Sequence, residues 1–166
     1  MYEARKICNW LLANFDPVEF DLTNLRINKL LYFMHAESLC CRAEGLVRNH
    51  FEAWQFGPVI KPVFDAFKAY KDAPITAPAQ YLDYATGVNR PVPYQDIRAD
   101  DVQIIKREFK KYSRFTTGQL VSLSHEPGGP WDITYRAHQT DPTFSPRIPN
   151  DLIRKHFSGD NPRVLH

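Results

Sequence analysis

The chain has 166 residues, 43% hydrophobic and 24% charged, which is enough apolar material for one sizeable core and too much for a disordered chain. Lys and Arg number 21 against 19 Asp and Glu, a formal net charge of +2, so composition points neither to nucleic acid nor to a membrane surface as partner. Glu3, Arg5 and Lys6 interrupt any signal-peptide pattern, and no apolar run approaches the ~18 residues of a membrane span. Cys8, Cys40 and Cys41 are odd in number with two adjacent, which does not suit a disulfide framework; a cytoplasmic location is expected.

In chain order, Ile7, Trp10, Leu11 and Phe15 share a helical face within residues 2–15, and Asp16-Pro17 ends that helix. Thr23 is a good N-cap for a second helix running to Cys41. Its apolar residues Leu30, Leu31, Met34 and Leu39 cover more than one face, as in a buried central helix, and Gly45 marks its exit. Residues 46–56 mix aromatic and polar side chains without a helical period and read as an extended stretch or β-hairpin closed by a turn at Gly57-Pro58. Pro62 suits the first turn of a helix carrying Val63, Phe64, Phe67 and Tyr70. Residues 72–100, with Pro74, Pro78, Pro91 and Pro93, read as irregular, docked through Tyr81, Leu82 and Tyr84. Asp100 can cap a helix with Val102, Ile105, Phe109 and Tyr112 inward. Thr116 or Thr117 can cap the next, which breaks at Pro127-Gly128-Gly129, and Pro130 opens another with Asp132 at its positive end. Asn150 can cap a last short helix with Leu152, Ile153 and Phe157, stopped by Gly159.

The pattern predicts a mainly α, compact single-domain fold over residues 1–166 with a small β-hairpin or extended element around residues 46–56.

Catalytic and metal motifs are incomplete. His35-Ala-Glu37 matches half of a zinc-deaminase signature, but Cys40 and Cys41 are adjacent where two spaced thiolates are needed. His125-Glu126 is followed by Pro127 rather than by a second helical His, and Ser124-His125 has no nucleophile elbow around it. No cofactor or metal is expected. His125 reads as a helix-end residue bonding exposed carbonyls, and Trp131 as a core plug. A hydrolase acting through His125 and a distant carboxylate is the competing reading from another class. Arg107, Lys110, Lys111 and Arg114 form a basic face on the predicted 100–112 helix and its exit. That face suits an acidic protein better than nucleic acid, since no aromatic residues interleave for stacking.

Three blocks carry a family resemblance: Leu25-Arg-Ile-Asn-Lys29-Leu-Leu-Tyr32-Phe, Phe51-Glu-Ala-Trp54-Gln-Phe-Gly57-Pro58-Val59, and Leu120-Val-Ser-Leu-Ser-His125 ahead of Pro130-Trp131. In this order and spacing they resemble the Panacea antitoxin domain, the SocA-like or GepA-like phage-associated family, from about Leu25 to Phe157. Ser113 and Phe64 depart from the pattern where Gly and Tyr are expected.

The resemblance implies a compact helical fold and neutralisation of a toxin encoded by a neighbouring gene, by direct protein binding and without enzymatic activity. In one branch it implies an adaptor that delivers the toxin to a AAA+ protease. DNA autoregulation is not implied for a chain that is nearly the bare domain. The family signature residues Lys29, Tyr32, Trp54, Gly57, Pro58, His125 and Trp131 read as structural, and the basic face as candidate toxin-binding surface.

Overall fold

The computed structural model describes residues 1–158. The expected stop at Gly159 lies outside them. Seven α-helices and a three-stranded sheet share one hydrophobic core among the described residues, with a second, two-stranded sheet outside it, so the fold is mainly α.

Helix α1 (Ala4–Asn14) follows Glu3, whose carboxylate accepts from the Arg5 N–H as an N-cap. Helix α2 (Asn24–Arg42) is capped by the Thr23 hydroxyl and ends at Ala43 in the left-handed region, two residues before the expected exit at Gly45. It runs through the middle of the molecule, packing on α3 (Lys61–Phe67), α4 (Ala99–Tyr112), α5 (Thr117–Ser124) and α7 (Asn150–Phe157). Neighbours on all sides explain an apolar stripe too wide for a surface helix. Gly45 serves a different purpose from helix termination: a Cβ there would lie 2.2 Å from Cε1 of the buried His35 ring.

The extended element is β1 (Phe51–Trp54) paired antiparallel with β2 (Gly57–Val59). The turn is Gln55–Phe56, not Gly57-Pro58, which pair in the strand itself. A third strand, β5 (Arg147–Ile148), completes the sheet on the other edge of β1. Two residues between prolines are too short to show a period, so sequence reading missed it.

The segment read as irregular contains a second hairpin, β3 (Gln80–Asp83) with β4 (Val88–Pro91). It is not docked through Tyr81, Leu82 and Tyr84, which are exposed, Tyr84 to 91%. The arm is anchored at its base, where Ile75, Ala79, Val92 and Ile97 are buried. The buried Asn9 side chain of α1 donates to the Ala79 and Val92 carbonyls at 3.0 and 2.9 Å and accepts from the Ala79 N–H at 2.7 Å.

Two expected caps, Asp100 and Asn150, fall inside the first turns of their helices. Arg98 is the N-cap of α4; Asp101, in its first turn, accepts from the Tyr2 hydroxyl and pairs with Arg42. Pro149 is the N-cap of α7, while Asn150 turns its Oδ1 to His35. Thr116 and Gln119 form a full capping box on α5. Helix α6 (Pro130–Thr140) opens with Pro130, and Asp132 accepts from the Gly128 N–H at 2.9 Å. No helix among the described residues is long and apolar enough to cross a membrane.

Asn9→Ala takes the side-chain partner from the Val92 carbonyl and the Ala79 N–H at the base of the arm, while the Ala79 carbonyl keeps its bond from the Val92 N–H. The expected cost is about 2–4 kcal/mol, read from denaturant midpoints. Amides of residues 79–92 should exchange faster than those of α2.

Candidate functional site

The β1–β2 turn is gripped by side chains from three helices. The Lys29 ammonium, fully buried midway along α2, donates to the Pro58 carbonyl at 2.9 Å. Asn28 accepts from the Ile60 N–H at 2.9 Å, and its amide donates to the Asn24 carbonyl, also at 2.9 Å. Trp131, in the first turn of α6, donates its indole N–H to the Trp54 carbonyl at 2.8 Å. His125 closes α5 with Nδ1 2.6 Å from the Val121 carbonyl and Nε2 3.2 Å from the Gln55 carbonyl. Its ring centroid lies 3.7 Å from that of Trp131.

Gly57 is required where these groups meet. Its φ is +99°, and a Cβ would come within 2.6 Å of Ser124 Oγ and 2.7 Å of Lys29 Cε. Lys29, Trp54, Gly57, Pro58, His125 and Trp131 therefore converge on one turn, and Tyr32 packs beneath it against Phe51 at 5.3 Å between centroids.

The two tryptophans sit differently. Trp131 is 7% exposed, whereas the Trp54 ring is half-buried. Strand alternation explains it: Phe51 and Ala53 face the core, while Glu52 and Trp54 face outward. The Trp54 indole donates to Glu52 at 2.9 Å and meets Phe64 edge-on at 5.0 Å. Trp54 and Phe64, with Leu25, Val59 and the 61% exposed Phe56, line a cleft of about 650 Å³. Lys68, Lys71 and Asp72 stand at its rim, and Asp65 pairs with both Lys61 and Lys68, so the charges around it nearly cancel.

The catalytic alternatives are occupied by structural bonds. Ser124 Oγ donates to the Val121 carbonyl at 2.8 Å and is 3.3 Å from His125 Nδ1, which faces the same carbonyl more closely. The Asp132 carboxylate near His125 is taken by the Gly128 N–H and, at 2.6 Å, by Arg136. His35 Nδ1 accepts from the Val47 N–H and Nε2 meets Asn150. Its neighbour Glu37 turns to Lys111 and Tyr112 on a different side of α2. Among the described residues no three His, Cys, Asp or Glu side chains converge as metal ligands.

The basic face is divided. Arg107 pairs with the buried Glu108 at 2.6 Å, and Lys111 is half-buried, bound to Glu37 of α2 at 2.7 Å. Lys110 and Arg114 are exposed without an ion pair among the described residues.

Asn9, Arg26 and Asn28 were missed by sequence reasoning as structural side chains. Arg26 resembles the others in purpose, donating to the Ser113 carbonyl at 3.0 Å between α4 and α5. Their signal in the sequence is a polar residue inside an apolar helix with no charge partner at helical spacing.

Residues 27–132 match the family described as Antitoxin SocA-like, Panacea domain. The chain is also 34% identical over 158 residues to Antitoxin SocA of Caulobacter vibrioides (strain NA1000 / CB15N), covering 93% of this chain and 82% of that protein. The chain belongs to the SocA-like Panacea antitoxin family. No solved structure matches it. The matched span contains all seven signature residues.

Burial alone lowers the Lys29 pKa to about 7. The unfolded chain, with an ordinary lysine near 10.4, then binds more protons between these values, so stability rises with pH from 7 upward. Wild type should gain about 1–3 kcal/mol between about pH 7 and pH 9 relative to Lys29→Met. Denaturant midpoints of the two proteins at both pH values check this; parallel curves would show that Lys29 stays charged in the fold.

Proposed function

We propose that the chain suppresses a toxin encoded by a neighbouring gene by forming a direct protein complex with it in the cytoplasm, with no chemistry and no cofactor of its own. Membership of an antitoxin family supports the first part. The observation that carries the second is that both ring nitrogens of His125, the side chain a hydrolase would need, face backbone carbonyls, those of Val121 and Gln55, rather than a nucleophile and an orienting carboxylate.

A neutralising interface needs about 1,000 Å² or more, with apolar anchors inside a polar rim. Of the basic face Arg107, Lys110, Lys111 and Arg114, Lys110 and Arg114 belong to that rim in this reading. Lys110 and Arg114 have their charges to offer, while Arg107 and Lys111 are largely committed within the fold.

Co-expression with the neighbouring gene checks the proposal. The toxin alone should arrest growth, and the chain should restore growth and co-purify with the toxin at fixed stoichiometry. Arrest that persists at full expression of the folded chain contradicts the reading. Rescue that disappears in a host lacking its AAA+ proteases, with the complex intact, assigns the mechanism to delivery rather than to blocking.

A further inference from the structure

The cationic side chains of α4 form two rows with different fates. Arg107 and Lys111 face α2 and are paired with Glu108 and Glu37. Lys106 and Lys110, one turn apart on the side facing α1, have no carboxylate partner among the described residues; the Lys106 ammonium sits 6.0 Å from the centre of the Trp10 ring.

These two lysines stand over a cleft of about 380 Å³ between α4 and the chain joining α1 to α2. Its floor is aromatic: Phe15 stacks on Phe109 with centroids 3.8 Å apart, and Phe20 meets both edge-on at 5.6 and 5.2 Å. Phe109 is buried, while Phe15 and Phe20 remain half-open to solvent, and Val18 between them is 70% exposed. No carboxylate lines the cleft. The hairpin cleft has charges of both signs at its rim and selects no partner by charge.

We propose that this cleft is a docking site for the toxin, receiving an acidic segment that carries an aromatic or aliphatic anchor; the proposal rests on the antitoxin reading above and places its interface. The volume suits one or two apolar side chains. Desolvated against Phe15 and Phe20, they supply the tightly packed centre of an interface. Carboxylates on either side of the anchor meet Lys106 and Lys110, whose charges are not already spent, and speed encounter at low salt. Nucleic acid fits less well. Two lysines neutralise few phosphates, and one face of Phe15 is already covered by Phe109.

The test is binding kinetics between this chain and the purified product of the neighbouring gene, over a range of salt concentrations. Lys106→Glu with Lys110→Glu should lower the association rate at least tenfold and flatten its salt dependence. Phe20→Ala should raise the dissociation rate at least tenfold with association nearly unchanged, thermal melts showing that the variant is folded. Arg107→Gln with Lys111→Gln, shown by thermal melts to be folded, should alter both rates less than threefold. As a second readout that does not depend on a loss of binding, benzoyl-phenylalanine at position 110 should cross-link to the partner. Binding by wild type with equal kinetics in the cleft variants, or with larger losses in the Arg107 and Lys111 variant, overturns this placement alone. Competition by random-sequence nucleic acid overturns the acidic-protein assignment. No binding by wild type overturns the antitoxin reading itself.

Discussion

A fully buried lysine amine bonded to one proline carbonyl holds the centre of this fold in place. The bond from Lys29 to Pro58 fixes β2 against α2, and β2 carries β1 and, through it, β5. The same turn receives Trp131 and His125 from the C-terminal half of the chain. A buried amine is costly, but the alternative at this position is an orphaned carbonyl beneath a tight turn. Burial moves the amine toward its neutral form, which lowers the cost while keeping the donor.

The same device recurs. Asn9 holds the base of the β3–β4 arm, Arg26 holds the connection between α4 and α5, and His35 with Asn150 ties α7 to α2. In each case a helix supplies a buried polar side chain, and the partner is usually the backbone of a segment with little regular structure. Rigid helices thus position loops.

Much of the helical layout was legible because long apolar periods, the caps Thr23 and Thr116, and Pro130 in a first helical turn are local signals. The hairpin was visible as a loss of helical period, although Gly57, placed by its close approach to Lys29 and Ser124, was mistaken for the turn itself. The β3–β4 hairpin was hidden among prolines, and Tyr81, Leu82 and Tyr84, apolar enough to suggest docking, extend into solvent because only the arm's base is anchored. The basic face was legible as a set of charges but not in its division, since Lys111 meets Glu37, 74 residues away. Nor does spacing reveal that Phe15 and Phe20 meet Phe109 under Lys110.

The structural grip on the hairpin and the docking surface proposed along α4 are separate regions of the molecule. Amide hydrogen exchange of the free chain and of its complex with the toxin compares both regions in one measurement. The account predicts slow exchange at Trp54, Val59 and Ile60 that the partner leaves unchanged, with new protection confined to residues 15–22 and 103–114. Protection gained at residues 54–60, with none along α4, would contradict it.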